Sequence, residues 1–381
     1  MKIEELVLRR ALDSRTNWTV EAEVNGEISL APSGASTGKF EASCFVPENL
    51  SHIRDKISNE ILGKDLSLSE FDQKLKEIDG TEGFENLGAV SIACSLAFKN
   101  AQGFEHKTSF PYPLSNVIGG GAHGGNTSIQ EFLVIPLEAE TFPEALETNA
   151  EIYKELKERY GQKIMGINDE GALITRMNDE ETLEALKKVA DKHGARIGLD
   201  VAASEFYEDG KYKYDSLDME LDSRRQKKFI KKLIEEYELV YVEDPFDQED
   251  FDSHAELTKE TENCLIVGDD LFTTNPSRLE CGIKMDSGNS IIIKPNQIGT
   301  LTDTKKTVEK AKENNYVPVI SHRSGETCDS TISDLALEWE IPIIKAGIAD
   351  IRIAKLNKLL RLWYKMSREK DTEMNESLKL R

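Results

Sequence analysis

The chain has 381 residues, of which 39% are hydrophobic and 31% charged, and its formal net charge is −22. Nucleic-acid affinity depends largely on Lys and Arg, so this acidity disfavours a general binder of phosphate backbones. The sequence also lacks an apolar run of the ~18 residues that a membrane span requires. The charged N-terminus does not resemble a signal peptide, and the five cysteines form no CxxC pair. We therefore expect a globular cytoplasmic protein with unpaired thiols, and with neither a nucleic acid nor a membrane as partner.

The first third of the chain predicts a small α+β unit. Strand-like runs cover residues 3–12, 18–24 and 27–32. Asn25-Gly26, between the last two runs, is a strong hairpin signal. Helical patterns follow at about residues 50–62, 67–78 and 87–103. Strands followed by helices indicate a separate capping domain, a β-meander plus helices, over residues 1–107.

From about residue 130 the pattern changes to short apolar runs that alternate with amphipathic stretches of helix length. The six strand-like runs are ARIGLD, LVYVED, CLIVGDD, SIIIK, VPVISH and IPIIK. This alternation is typical of βα units in a parallel sheet, either a closed barrel or a doubly wound open sheet. Neither a GxGxxG nor a Walker-type loop favours a nucleotide-binding open sheet, and we predict a β/α (TIM-like) barrel over residues 108–366. Residues 367–381 lack apolar periodicity and are predicted to form a flexible tail.

Each of the six runs ends in an ionisable residue. In chain order these residues are Asp200, Glu243, Asp269, Lys294, His322 and Lys345. In a barrel, the carboxyl ends of all strands meet at one face, where active sites are built. Strands that simply stop at the first polar residue would account for one or two of these cases, but not for three acids followed by two lysines and a histidine. We therefore expect the six side chains to converge on one pocket.

The charges of these residues predict a metal-dependent acid–base site. Three clustered carboxylates raise each other's pKa unless a cation neutralises them. All-oxygen ligand sets suit Mg²⁺, Ca²⁺ or Mn²⁺, and we predict Mg²⁺ because a carboxylate triad leaves positions open for substrate. A lysine base needs a lowered pKa, which a metal and a second lysine would both produce. Lys294 is the predicted base, with Lys345 as its cationic neighbour.

Longer segments around these residues carry a family resemblance from Asp13 to about Arg361. They include DSRTNWTVE (13–21), APSGASTGKFEA (31–42), NVIGGGAHGG (116–125), VEDPF (242–246), IIIKPNQIGTL (291–301) and ISHRSGET (320–327). The order of VEDP, KPNQIGT and SHRSGE is highly specific, and on these segments the sequence resembles the enolases. The resemblance implies a capped β/α barrel and the Mg²⁺-dependent reversible dehydration of 2-phospho-D-glycerate to phosphoenolpyruvate, a step of glycolysis and gluconeogenesis.

The resemblance also implies the metal ligands and the base. Asp200, Glu243 and Asp269 would hold one tightly bound Mg²⁺. Ser36, in the glycine-containing SGASTG loop, would join a second Mg²⁺ when that loop closes over the site. Lys294 would take the proton from C2 of the substrate.

Further matching residues are implied as the acid and as the carboxylate site. Glu170, in the DEG segment, would protonate the departing 3-hydroxyl group. Glu131, in the QEF segment, would lie beside it and share its proton, and the two pKa values would be pushed apart. Lys345 would face the substrate carboxylate.

A third group of matching residues is implied for the rest of the substrate, a small phosphorylated carboxylate. Arg323 and Ser324 would bind its phosphate, for which a guanidinium group is well suited. His322 would line the same pocket. His123 would enter the site on another loop.

The sequence departs from the usual enolase pattern in several loops. The HGGNTSIQE loop after His123 is one residue shorter than usual, and Asn168 and Ala172 stand where the family has glycines. These changes motivate an alternative, an enolase-like paralogue with another substrate or without turnover that acts as a ligand-binding or regulatory protein. Glu21 and Arg361 match positions that pair across the two-fold interface of enolases, so the resemblance predicts a homodimer or a larger assembly of dimers.

Overall fold

The chain begins with an antiparallel meander in the computed structural model, which describes residues 1–34, 40–82 and 84–375. The strands of this meander are β1 (Leu6–Leu12), β2 (Trp18–Val24) and β3 (Glu27–Leu30). Asn25 and Gly26 join the last two strands with φ angles of 50° and 86°. These left-handed conformations match the twist of a tight hairpin, so the predicted hairpin is confirmed.

Three helices follow the meander and agree with the sequence prediction to within one residue at each end. They are α1 (Leu50–Ile61), α2 (Leu68–Ile78) and α3 (Gly88–Gln102). Helix α2 begins with a capping box between Ser67 and Glu70, an arrangement that satisfies two backbone amides at a helix start. Helix α3 is buried from Gly88 to Lys99 and contacts β2, β3 and α2. It forms the core of the N-terminal part.

The rest of the chain alternates strands with helices. The strands are β4 (Ser109–Phe110), β5 (Tyr112–Gly119), β6 (Glu131–Ile135), β7 (Ile164–Ile167), β8 (Leu173–Thr175), β9 (Arg196–Asp200), β10 (Tyr207–Glu208), β11 (Lys211–Tyr214), β12 (Met219–Leu221), β13 (Tyr241–Glu243), β14 (Leu265–Gly268), β15 (Ser290–Ile293), β16 (Val317–Ser321), β17 (Ile343–Lys345) and β18 (Glu373–Met374). The helices are α4 (Phe142–Arg159), α5 (Asp179–Lys192), α6 (Ser223–Tyr237), α7 (Phe251–Glu260), α8 (Pro276–Met285), α9 (Pro295–Ile298), α10 (Leu301–Glu313), α11 (Thr331–Glu338) and α12 (Ile353–Met366). Within the described ranges, none of the helices has the length and apolarity needed to cross a membrane.

Eight of these strands close into a barrel. Their order is β5-β6-β9-β13-β14-β15-β16-β17, and the pairing of β17 with β5 completes the circle. Strand β6 runs antiparallel to both of its neighbours, whereas the other neighbouring strands are parallel. The predicted fold, an α+β cap followed by a β/α barrel, is confirmed.

Periodicity predicted six of the eight barrel strands and missed β5 and β6. Strand β5 is buried along its whole length, so it lacks the alternation that marks a half-exposed strand. Its sequence also contains Pro113, Ser115 and Asn116, residue types that are typical of loops. The polar side chains are accommodated locally, since the buried Asn149 of α4 donates to the carbonyl of Pro113 at 2.9 Å and to the hydroxyl of Ser115 at 3.0 Å.

The predicted flexible tail is wrong for residues 373–375. Strand β18 pairs in parallel with β4, and the amide of Asn375 donates to the carbonyl of Phe110 at 2.8 Å. The side chain of Met374 is buried. A lone apolar residue in a polar stretch gives no periodic signal, which is why the sequence did not reveal this strand. Residues 376–381 lie outside the described residues.

We expect Met374→Ala to lower the free energy of unfolding by about 2 kcal/mol, because it removes a buried side chain from the core. Chemical denaturation followed by circular dichroism would measure this change. Glu369→Ala is the control, since Glu369 is exposed and surface substitutions usually stay within about 0.5 kcal/mol. Equal effects of the two substitutions would contradict the docked position of β18.

Candidate active site

The six ionisable residues predicted at strand ends lie at the carboxyl end of the barrel. Asp200, Glu243 and Lys345 are the last residues of β9, β13 and β17. The other three follow β14, β15 and β16 directly; they are Asp269, Lys294 and His322. A cavity of about 60 Å³ lies among them, and all but Glu243 contribute to its lining.

The ammonium group of Lys345 lies among three buried carboxylates. Its Nζ is 2.8 Å from Asp200 Oδ2, 2.7 Å from Glu243 Oε2 and 2.8 Å from Glu131 Oε2. Burial raises the pKa of Glu243 well above its usual value and also raises the pKa of Asp200. Burial opposes the charge of Lys345, but the three carboxylates outweigh it and hold the lysine pKa well above its usual value. Lys345 is therefore a permanent cation that compensates the acids around it.

Lys294 forms a short ion pair with Asp269. Burial alone would raise the pKa of Asp269, but the lysine outweighs burial and the pKa is lowered. Likewise, burial lowers the pKa of Lys294, and Asp269 more than reverses this effect, so the net shift is upward. From the sequence we expected a lowered pKa for Lys294. The pKa is raised instead, because the Asp269 carboxylate lies closer to Lys294 than the cationic groups do.

The predicted metal ligands come from three adjacent strands but meet two different lysines. Asp200 and Glu243 contact Lys345, while Asp269 contacts Lys294. Of the two oxygens of Glu243, Oε2 accepts from the Tyr241 hydroxyl at 2.5 Å, and Oε1 has no hydrogen-bond partner among the described residues. Three buried carboxylates with an unsatisfied oxygen fit a hard divalent cation, which takes oxygen ligands.

Two further aspartates lie beside Asp269 and were not singled out from the sequence. Carboxylate oxygens of Asp244, Asp269 and Asp270 lie within 4.8 Å of one another. Asp244 also accepts from the backbone amides of Asp269 at 3.1 Å and Asp270 at 2.8 Å. Asp244 therefore fixes the turn that carries Asp269. The sequence signal for these two aspartates was the pair of adjacent acidic residues in each of the segments VEDP and GDD.

Glu131 and Glu170 face each other beside His123. The Nε2 atom of His123 is 3.8 Å from Glu170 Oε1, and its Nδ1 is 2.9 Å from Asp169 Oδ1. Burial raises the pKa of Glu131 to about 7. Burial alone would also raise the pKa of Glu170, but the positive charges of His123 and Arg352 outweigh burial, and the net effect is a lowered pKa. The two pKa values are pushed apart, with the higher value on Glu131. His123 lies in the cavity lining despite its shortened loop.

The loop that carries Glu170 tolerates its two departures from the family glycines. The side-chain oxygen of Asn168 accepts from the amides of Glu170 at 3.0 Å and Ala172 at 2.8 Å. Among the residues of this loop, only Gly171 has a positive φ, of 80°. Neither Asn168 nor Ala172 therefore needs a glycine, and the loop is held by the asparagine side chain.

Arg352 is a further charged residue of the site that sequence reasoning missed. Its side chain is fully buried and donates to the carbonyls of Asp169 at 3.0 Å, Arg323 at 3.0 Å and Ser324 at 2.6 Å. It also lies 4.0 Å from Glu170. The guanidinium group thus fixes two loops of the site relative to each other.

Arg323 is held by residues from the cap and from the barrel. Its NH1 donates to Glu41 Oε2 at 2.8 Å and to Asn296 Oδ1 at 3.3 Å. Glu41 belongs to the APSGASTGKFEA segment, so the resemblance contained this signal without assigning it. Ser324 lines the cavity beside Arg323, whereas Ser36 lies outside the described residues.

His322 is buried at the end of β16. Its Nδ1 accepts from the amide of Gly347 at 3.3 Å. Burial and then the neighbouring cations lower the pKa of His322 well below its usual value. The imidazole is therefore neutral and acts as a fixed polar wall of the cavity.

Comparisons with known proteins cover both parts of the chain. Residues 3–111 match the family "Enolase, N-terminal domain", and residues 107–379 match "Enolase, C-terminal TIM barrel domain". The enolases of Methanosphaera stadtmanae and Methanothermobacter thermautotrophicus are each 44% identical to this chain, with 94% of the chain and 96% of each relative covered. The enolase of Archaeoglobus fulgidus is 42% identical, with 95% and 97% covered.

We expect Lys345→Ala to lower the free energy of unfolding by about 3 kcal/mol in metal-free buffer, because it leaves buried carboxylates without their cation. Urea denaturation at neutral pH would measure the loss. Lys232→Ala is the control, because Lys232 is 61% exposed and pairs with Glu236 at 3.4 Å, an exposed contact worth less than about 1 kcal/mol. An unchanged urea midpoint for Lys345→Ala would contradict the compensating role of this lysine.

Proposed function

Because this chain belongs to the enolase family, we propose that it catalyses the Mg²⁺-dependent, reversible dehydration of 2-phospho-D-glycerate to phosphoenolpyruvate in the cytoplasm. Enolases are metal-dependent lyases, and their substrate is a small phosphorylated carboxylate. The alternative of a paralogue without turnover was motivated by the shortened loop after His123. That motive is weakened, because His123 still lines the cavity.

The proposal rests on one observation, which is that a lysine, a pair of carboxylates and a cationic phosphate site line the same small cavity. Lys294 and the pair of Glu131 and Glu170 both line this cavity, as do Arg323 and Ser324. A base, an acid pair and a cationic phosphate site are what a dehydration of this substrate needs. Their proximity in one pocket allows them to act on one substrate molecule.

The metal would be held by the buried carboxylates of Asp200, Glu243 and Asp269. Ser36 would contribute to a second site. When bound, Mg²⁺ supplies positive charge that stabilises negative charge developing on the substrate carboxylate. Binding of a cation to Asp269 would compete with its ion pair to Lys294, so Lys294 would lose the contact that raises its pKa.

The proton steps would be divided between Lys294 and the carboxylate pair. Lys294 would take the proton from C2. Glu170 would protonate the departing 3-hydroxyl group, and the pKa of about 7 on Glu131 makes Glu131 the store of that proton near neutral pH. His123 would hold Glu170 in place through the contact of its Nε2 atom.

The remaining residues would bind and orient the substrate. Lys345 would face the substrate carboxylate, and its permanent charge suits that role. Arg323 and Ser324 would bind the phosphate. The guanidinium group would then either leave Glu41 or bind Glu41 and the phosphate together. His322, as a neutral group, would line the pocket without adding charge.

We expect Lys294→Ala to reduce turnover at least about 100-fold, because a general base contributes ~10²–10⁴-fold to a rate. Ultraviolet absorbance of the enol product, formed from 2-phosphoglycerate with Mg²⁺, would measure this. Lys284→Ala is the control, since Lys284 is 71% exposed and pairs with the surface residue Glu280. Wild-type protein that gives no product at high concentration would overturn the proposed function.

We also propose that two copies assemble as a dimer. Large apolar side chains are exposed near the turn between β1 and β2 and on β7; they are Leu12, Trp18, Met165 and Ile167, each 51–57% exposed. An ion pair of 3.2 Å between Arg15 and Asp169 holds these two regions together. Exposed apolar groups of this kind mark association surfaces. Glu21, which here pairs with Arg9 at 3.0 Å, and the exposed Arg361 match positions that pair across the two-fold interface of the family.

We expect light scattering at micromolar concentration to give twice the chain mass for the wild type, and the monomer mass for Trp18→Glu, because a buried unpaired charge opposes association. Met285→Glu is the control, since Met285 is a comparable exposed side chain on α8. A monomeric wild type would refute the dimer.

A further inference from the structure

We infer that Thr274 and Gln297 form a positioning pair that orients the carboxylate of Asp269 for a metal ion. Neither residue reaches the cavity lining, so both would act through Asp269. The inference rests on the proposed function, because Asp269 is a metal ligand only there. Residues that hydrogen-bond a metal ligand from behind commonly set its orientation and basicity.

The hydroxyl group of Thr274 has a defined direction. Its oxygen accepts from the backbone amide of Lys294 at 2.9 Å. An amide can only donate, so the hydroxyl proton must point elsewhere. The better acceptor is Gln297 Oε1 at 2.6 Å, whereas the carbonyl of Ile292 lies at 3.4 Å. Thr274 therefore donates to Gln297.

This donation fixes the orientation of the Gln297 amide. Because Oε1 accepts from Thr274, the NH₂ group faces the opposite side. There Nε2 donates to Asp269 Oδ1 at 2.9 Å and lies 3.4 Å from Glu41 Oε1. Gln297 is buried, so a flipped amide would place an oxygen against two carboxylates. The donation from Thr274 thus supports the amide orientation that the two carboxylates require.

The backbone at this turn is strained. Thr273 and Thr274 both have positive φ, of 48° and 53°. Left-handed conformations are costly for β-branched residues and are better tolerated by glycine or asparagine. Strain of this kind persists at sites where a particular side chain is needed. At Thr274 the side chain that is needed is the hydroxyl group, because it orients the amide of Gln297.

The same amide connects two of the ion pairs of the site. Gln297 Nε2 donates one hydrogen to Asp269 and the other to Glu41. Asp269 is the ion-pair partner of Lys294, and Glu41 is the ion-pair partner of Arg323. The backbone adds a link, since the amide of Ala42 donates to the carbonyl of Gln297 at 2.8 Å. Loss of the pair would therefore disturb the base, the metal ligand and the phosphate site together.

Thr274→Val tests the inference, because it removes the hydroxyl and keeps the shape of the side chain. We expect Mg²⁺ affinity, measured by isothermal titration calorimetry without substrate, to fall about 10-fold, and kcat at saturating Mg²⁺ to fall by a similar factor. Thr274→Ser should restore both values. Thr304→Val is the matched control, because Thr304 is equally buried and its hydroxyl donates to the carbonyl of Thr300, at the start of its own helix, at 2.7 Å.

Gln297→Met provides a second variant if Thr274→Val does not fold, since it keeps the length of the side chain and removes the amide. Wild-type Mg²⁺ affinity and kcat in a folded Thr274→Val or Gln297→Met would overturn the inference, as would losses that Thr304→Val reproduces. A wild type without turnover whose Mg²⁺ affinity still falls in the variants would remove the proposed function and leave the positioning pair in place.

Discussion

Lys345 places one ammonium group among three buried carboxylates, and each carboxylate comes from a different strand of the barrel. Glu131 lies on β6, Asp200 on β9 and Glu243 on β13. A buried carboxylate without a partner would take up a proton and lose its charge. The ammonium group of Lys345 therefore offsets part of the negative charge of a strongly acidic pocket, and the geometry of the pocket depends on the position of β17.

The strand ends of the site could be predicted from the sequence because a barrel imposes a simple rule. Strands that run in parallel all finish at the same face, so residues that follow each strand must be neighbours. Asp269, Lys294 and His322 could be placed in this way without knowing any loop. The three long helices of the cap could also be predicted, because their apolar residues recur at helical spacing.

Other parts of the site could not be predicted from pattern, because they come from segments without a period. Glu41 reaches Arg323 from the cap, and Arg352 reaches Glu170 from a short turn before α12. No spacing rule connects such residues with the strands they contact. The charge state of Lys294 also escaped prediction, since the sequence shows which charges are present but not which pair is closest. Strands β5 and β18 were missed for a related reason, because full burial and short length both remove the alternating signal.

The pairing of β17 with β5 has a consequence for synthesis of the chain on the ribosome. The contact of Lys345 with Asp200 spans 145 residues, and β5 must wait for β17 before the circle closes. Until then the carboxylates of β6, β9 and β13 have no lysine partner, and an early-formed half barrel would hold unpaired acids against an exposed sheet edge. Contacts of such long range form late, and incomplete barrels with open edges are prone to aggregation. The last strand of the barrel, β17, therefore carries the counterion that makes the earlier strands compatible with a compact state.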